Sequence, residues 1–364
     1  MKLCFAYPNE NNYSETFIRN HYKYLNPEYS LTGGWRPYKT KDNKSIFDFF
    51  LSEPIRIFLK RLLPNSYDKF YTKYLTKYLV KNKITVVLAE YGITGTCMMQ
   101  ACKNANVALI VHFHGFDASD RETLQPYEQK YKLLFQNAKA ICVVSKDMGN
   151  KLVTLGADIT KIHNIPYGVD ATTFQPKTYS NGKIIIAVGR FAHKKAPYLT
   201  IKAFALVLKK EPNAILWMVG IGELLEECKQ LTKELGISEK ILFLGIKSPE
   251  EVAELLHQAD IFVQHSMENP FTGDSEGTPN SILEACAVGL PIVSTYHAGI
   301  KEAVTHERTG FLVNEGDFEK MAEYIILLLD NPDLREQLGR NGREKISTEY
   351  NIETQIEKIR KLLI

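Results

Sequence analysis

The chain has 364 residues, 45% of them apolar and 24% charged, and a net charge of +3. Length and balance suit a globular protein of two ordinary domains, each with its own core. They exclude a disordered or low-complexity chain and argue against a dedicated nucleic-acid binder. Cysteines stand at 4, 97, 102, 142, 228 and 286, without C-x-x-C and mostly in apolar runs such as ICVVS and ILEACAVG. Buried free thiols in a reducing compartment are expected. The N-terminal apolar run is too short for a signal peptide, and no stretch approaches the ~20 apolar residues of a membrane span. The expected location is the cytoplasm.

In chain order, KLCFAY reads as a first strand, and NYSETFIRNHYKYL begins a helix after it. The stretch 45–83 is rich in Lys, Arg, Phe and Tyr. Two readings are open for it: amphipathic helices resting on anionic lipid, or ordinary helices with aromatics inward and lysines outward. TVVLAEY, ALIVHFH and AICVVS follow as strands. Continuous Val/Ile/Leu runs of this kind suit strands buried on both faces.

Residues 165–183 hold Gly, Pro, Asp and Asn without helical period and read as a linker. Beyond them KIIIAVG, AILWMVG, ILFLG, DIFVQHS, LPIVST and GFLV alternate with amphipathic helices such as APYLTIKAFALVLKKEP and SPEEVAELLHQAD. Alternation in two blocks predicts an α/β protein with two doubly wound, Rossmann-like parallel-sheet domains facing across a cleft. The first domain is set at residues 1–170, joined by the C-terminal helix 351–364. The second is set at 171–350. Ligands of such sheets bind beyond the carboxyl ends of the strands.

In SEGTPNSILEACAVG, Thr278 followed by Pro279 reads as a helix start, a hydroxyl cap and then a proline that needs no amide partner. Free amides near Asn280, Ser281 and Ile282 then form an anion site. Glu276 and Glu284 bracket it. Carboxylates bind sugar hydroxyls rather than phosphate, so the pattern describes a nucleotide sugar, with ribose near Glu284 and the transferred sugar near Glu276. Capped surface helices with solvated acids share this pattern. Arg190 and Lys195, in the loop AVGRFAHKKAP, add two cations that neutralise a diphosphate without a metal. Gly220 and Gly222 in MVGIGE read equally as phosphate-loop or turn glycines.

In this order the pieces resemble the retaining glycosyltransferases of family 4, which have the GT-B fold. EGTPNSILE carries the Glu-x7-Glu pattern, GRFAHKK the Gly-Arg…Lys loop and IPYGVDATTF the interdomain signature; AGIKEAV and TGFLV also fit. The resemblance covers nearly the whole chain and departs from the pattern at Ala196, where glycine is usual, and at Lys301, where proline is common. It implies that Arg190 and Lys195 bind the diphosphate, that Glu276 holds the transferred sugar and Glu284 the ribose. It also places Gly189, Gly220, Gly277, Thr278, Pro279, Asn280, Ser281 and Ile282 at the donor. In the first block it makes His114 of VHFHGFDASD a residue facing the donor sugar. A structural histidine, or a metal site with His112, are the other readings. Ser14, with Phe17 and Ile18, and the pair Ser145–Lys146 also fit the family, although a helix cap explains Ser145 equally.

The implied activity is retaining, metal-independent transfer from a nucleoside-diphosphate sugar to a glycan or lipid-linked acceptor, in cell-surface polysaccharide or lipopolysaccharide synthesis. No cofactor is implied, and peripheral contact with the inner face of the membrane would run through 45–83. A nucleotide-sugar epimerase or a phosphorylase of the same fold is the alternative. A Rossmann oxidoreductase is disfavoured, because no strand is followed by G-x-G-x-x-G with an acid about 20 positions on.

Overall fold

The structure is a computed structural model, and it describes residues 2–9, 15–47, 62 and 64–364. Ser14 and residues 48–61 and 63, which entered the sequence reading, lie outside the described residues. The chain divides into two compact units, Met1–Ile165 with Ile356–Ile364, and Pro166–Gln355. The division falls five residues before the expected first boundary and five after the second.

The first unit is built on β1 (Leu3–Ala6), β2 (Tyr29–Thr32), β3 (Lys39–Thr40), β4 (Val86–Glu90), β5 (Ala108–Phe113), β6 (Ala140–Val143) and β7 (Ile162–Asn164). Their order is β3-β2-β1-β4-β5-β6-β7. Only β2 and β3 pair antiparallel. Every residue of β1, β4 and β6 is buried, which is why these strands read as unbroken apolar runs. The helices Gly92–Ala105 and Arg121–Asn137 return the chain between parallel neighbours. Helix Pro64–Lys81 turns Tyr67, Tyr71, Leu75 and Leu79 inward at i, i+4 spacing and leaves Lys69, Lys73 and Lys77 exposed. In this described part of 45–83 Tyr67 and Tyr71 turn inward and the lysines outward, an arrangement compatible with both readings.

The second unit carries β8 (Ile184–Val188), β9 (Ile215–Val219), β10 (Ile241–Gly245), β11 (Ile261–Val263), β12 (Ile292–Thr295) and β13 (Gly310–Val313). All are parallel, in the order β10-β9-β8-β11-β12-β13. The order reverses between β8 and β11, so the crevice beyond their carboxyl ends is the binding position of a doubly wound sheet. The expected helices form at Pro197–Leu208 and at Pro249–Gln258, the latter opened by a Ser248–Glu251 capping box. The segment expected as a linker is packed into this unit. Tyr167, Val169 and Phe174 are buried, and Arg335 donates to the carbonyls of Ser180 and Gly182 at 3.0 Å each.

All six cysteines are free, and all but Cys97 are buried. Burial pushes the thiols of Cys102, Cys228 and Cys286 up to about 12, which makes them unreactive packing groups. Among the described residues no helix is long and apolar enough to cross a membrane.

Candidate active site

The loop after β8 is fixed before any ligand arrives. Gly189 N–H donates to the Val219 carbonyl at 2.9 Å, Phe191 N–H to Ile221 at 3.0 Å and Gly220 N–H to Gly245 at 2.8 Å. Gly220 has φ +127°, and a Cβ there would stand 2.1 Å from the Gly189 carbonyl oxygen. Side chains other than hydrogen are thus excluded where the β8 and β9 loops touch. Gly220 therefore serves close loop packing, beyond a simple turn. Arg190, at the tip, is exposed, and its guanidinium has no ion-pair or hydrogen-bond partner among the described residues.

Lys195 closes this loop in a short 3-10 turn before Ala196, which is fully buried with φ +34°. The family glycine would adopt that left-handed geometry freely; the alanine is held in it by packing. Gly189, Arg190, Lys195, Thr200 and Gln264 line one shallow pocket between the β8, β9 and β11 ends.

Sequence reasoning placed Lys195 on phosphate and Glu276 on sugar; the structure brings the two together. Lys195 Nζ lies 2.9 Å from Glu276 Oε1, with side chains 14% and 8% exposed. Burial alone would raise the Glu276 carboxyl, yet Lys195 and Lys194 pull it down to about 2. Burial lowers the Lys195 ammonium, and Glu276 opposes that shift. The net result is a carboxylate and an ammonium inside the pocket wall, with Lys194 paired at 2.8 Å to Asp274 beside them. Lys194 and Asp274 were not singled out from sequence; their adjacency to Lys195 and Glu276 was the available signal.

The helix expected to start at Thr278–Pro279 begins one residue later. It spans Asn280–Val288, with Pro279 as N-cap and no side-chain cap. Thr278 is therefore outside the capping position, because Pro279 has extended ψ of 120° and its carbonyl closes the first turn. That carbonyl accepts the Ile282 amide at 3.1 Å, so Ile282 N–H is not one of the phosphate-facing donors. The Ser281 amide has no protein acceptor among the described residues, while its hydroxyl donates to Gln264 Oε1 at 3.1 Å. The Glu284 carboxyl makes no ion pair or hydrogen bond among the described residues, and burial raises it to about 7. Gly277 is buried, and its carbonyl accepts Gly299 N–H at 3.0 Å. Gln264, His297 and Glu315 also shape this region; lone polar residues after apolar strand runs were their only sequence trace.

In the first unit His114 is buried. Its Nε2 meets Glu90 Oε2 at 2.5 Å, and its ring lies 4.4 Å from that of Phe17. Glu90 Oε1 meets His21 Nδ1 at 2.8 Å. Burial works against ionisation of Glu90, but His21 and His114 hold its carboxyl far below the usual range. The alternative reading of a metal site at His112, His114 and the following carboxylates gains no support from Asp117. Asp117 instead accepts the amides of Gly92, His114 and Gly115 at 2.9–3.0 Å. His21, Glu90 and His112 are close enough to share an ion, yet both Glu90 oxygens already have histidine partners. Ser145 caps the Lys146–Thr154 helix by accepting Met148 N–H at 3.1 Å, the plain structural role.

Residues 169–345 match the family described as Glycosyl transferases group 1, and residues 38–173 match Glycosyltransferase Family 4. Together these matches span residues 38–345, and the chain belongs to the family 4 (group 1) glycosyltransferases and has their GT-B fold. A protein described as a colanic acid biosynthesis glycosyltransferase, WcaL of Escherichia coli strain K12, is 33% identical over 245 residues, 66% of this chain and 60% of that one. The UDP-Gal:alpha-D-GlcNAc-diphosphoundecaprenol alpha-1,3-galactosyltransferase of Escherichia coli is 27% identical over 305 residues, 78% of this chain and 76% of that one. The chain spans 60–66% of the length of the first curated relatives it matches. Anabaena HepE, solved in complex with UDP and glucose, has the same fold, with TM-score 0.76, 16% identity and 99% of both chains covered.

Proposed function

We propose that the protein transfers a sugar from a nucleoside-diphosphate sugar to a hydroxyl of a glycan or lipid-linked acceptor, in synthesis of a cell-surface polysaccharide. The observation that carries this reading is the convergence, at the β8/β11 reversal, of unpaired Arg190, the Lys195–Glu276 pair and the open Ser281 amide. Cations and amides suit a diphosphate, and carboxylates suit the hydroxyls beside it. The names of WcaL and of the galactosyltransferase support polysaccharide synthesis and a lipid-diphosphate acceptor.

The mechanism follows from charge. As the bond to the anomeric carbon breaks, negative charge grows on the leaving diphosphate and positive charge on the sugar. Arg190, Lys195 and the Ser281 amide stabilise the first, preorganised in a partly desolvated pocket. Glu276 holds sugar hydroxyls, and Glu284 the ribose. Among the described residues the carboxylate nearest Glu276 in sequence, Asp274, is paired with Lys194 and is not offered as a nucleophile. Attack on the face the diphosphate leaves, with retention, is the route these groups serve. Diphosphate charge is met by Arg190 and Lys195, so the reaction is proposed to run without a metal. His114, braced by Glu90, is proposed as a donor-sugar contact on the strength of the family resemblance.

Peripheral membrane contact from a cytoplasmic protein has as its support the lysine-rich outer face of Pro64–Lys81. Anionic liposomes should sediment the protein at low salt and release it at high salt; no sedimentation at either removes that part.

The deciding experiment is a panel of nucleotide sugars read by thermal shift and by nucleotide release with and without glycan acceptors. Acceptor-dependent release supports transfer. Release or isomerisation without an acceptor would favour the epimerase or phosphorylase alternative.

A further inference from the structure

We propose that His297 and Glu315 are positioning residues that set the backbone carrying Glu276. The proposal rests on the reading of Glu276 as the donor-sugar carboxylate.

The Glu276 amide donates to His297 Nε2 at 3.1 Å, so this ring nitrogen carries a lone pair. The proton then belongs on Nδ1, which faces Glu315 Oε1 at 2.6 Å. Glu315 Oε2 in turn accepts the Glu268 amide at 3.0 Å. Each bond has one direction, and each directs the next. Glu268 and Glu276 belong to the loop after β11, His297 to the loop after β12 and Glu315 to the loop after β13. The pair thus ties three successive strand-end loops at the crevice. Gly299 N–H to the Gly277 carbonyl, at 3.0 Å, and Gly316 N–H to His265 Nε2, at 2.8 Å, run alongside.

Lys195 and Lys194 attract the Glu276 carboxylate toward the β8 loop. The side chain alone therefore does not define where the Glu276 backbone sits. The His297 acceptor supplies the opposing hold, from a ring that is 4% exposed and shielded from water. Misplacing a contacting group by about 1 Å costs on the order of a hundredfold in rate. A histidine–carboxylate pair outside the Glu-x7-Glu segment thereby becomes part of its geometry.

The test compares His297→Ala, Glu315→Ala and His297→Gln, whose side-chain amide can accept from Glu276 N–H and donate to Glu315. Amide hydrogen exchange is followed over residues 274–280, alongside kcat, KM and nucleotide thermal shift. Both alanine variants should exchange roughly ten times faster or more across this segment. They should lose about ten- to a hundredfold in kcat and keep nucleotide binding, and His297→Gln should retain most of what His297→Ala loses. Wild-type exchange in both alanine variants, or glutamine as damaging as alanine, overturns the proposal. Exchange is read without turnover, so failure of the wild type to transfer any sugar would count against the transferase reading alone. Glu315 is 36% exposed at its side chain, which makes its alanine variant the safer one to fold.

Discussion

Lys195 and Glu276 sit 2.9 Å apart and are both largely out of water, which determines how substitutions behave. Removing one partner of a buried pair leaves the other charge uncompensated and costs about 3–5 kcal/mol. Lys195→Met or Glu276→Gln should each lower stability and depress transfer by two orders of magnitude or more. The double variant should be more stable than the sum predicts, by a double-mutant cycle in denaturant. Glu284 offers a pH test. Burial raises its folded carboxyl to about 7 from the ordinary 4.5 of the unfolded chain, so the folded state binds the proton more tightly. The sign is therefore that of stability present below the unfolded value and lost as pH rises through 7. Glu284→Gln should raise the Tm at pH 8 by more than at pH 5, an effect of about 1–3 kcal/mol. Equal shifts at both pH values would contradict it.

Loops and strands carry the next constraints. Gly220→Ala places a methyl against the Gly189 carbonyl and strains a left-handed backbone. It should displace the Gly189–Arg190 turn, destabilise by about 2 kcal/mol or more and weaken nucleotide binding in a thermal-shift titration. Ala196→Gly should be nearly silent. Relief of about 1–2 kcal/mol of left-handed strain is offset by a freer unfolded chain and a lost buried methyl. Such differences also explain what could be read in advance. Strands β1, β4–β6, β8, β9, β11 and β12 announced themselves because central parallel strands are apolar on both faces, and the edge strands β10 and β13 still carry the short apolar runs ILFLG and GFLV. Tyr29–Thr32, Lys39–Thr40 and Ile162–Asn164 gave no such run, being short and at or near a sheet edge. The Asn280 helix was legible to within one residue, since Pro279 satisfies either N-cap or first-turn geometry. Glu-x7-Glu and Gly-Arg…Lys were readable as local patterns. Lys195 against Glu276 was not, being a pairing across 81 residues of chain. His21 against Glu90 and His297 against Glu315 escaped for the same reason: tertiary placement alone makes them neighbours.

Across the whole molecule, each unit has its own sheet and core, and the helix Ile352–Leu363 carries the chain from the second into the first. Ile356, Ile359 and Leu363 are 4% exposed or less, and Arg360 donates to the Tyr24 carbonyl at 2.7 Å. Ending the chain after Gln355 removes three buried apolar side chains, each worth about 1.5–3 kcal/mol, from the first unit. That truncation should lower the melting of the first unit sharply while the second keeps its nucleotide-induced thermal shift. Loss of both transitions together would show the two units to be one cooperative body. The same helix orders the birth of the protein. On the ribosome, every residue of the second unit emerges before the first unit receives its last piece. The unit begun first is thus completed last, and its apolar seam stays open for the time needed to make some 190 further residues, about 10–40 seconds at ordinary synthesis rates. A chaperone with affinity for nascent apolar surface would meet this protein at its N-terminal half, long after that half has been translated.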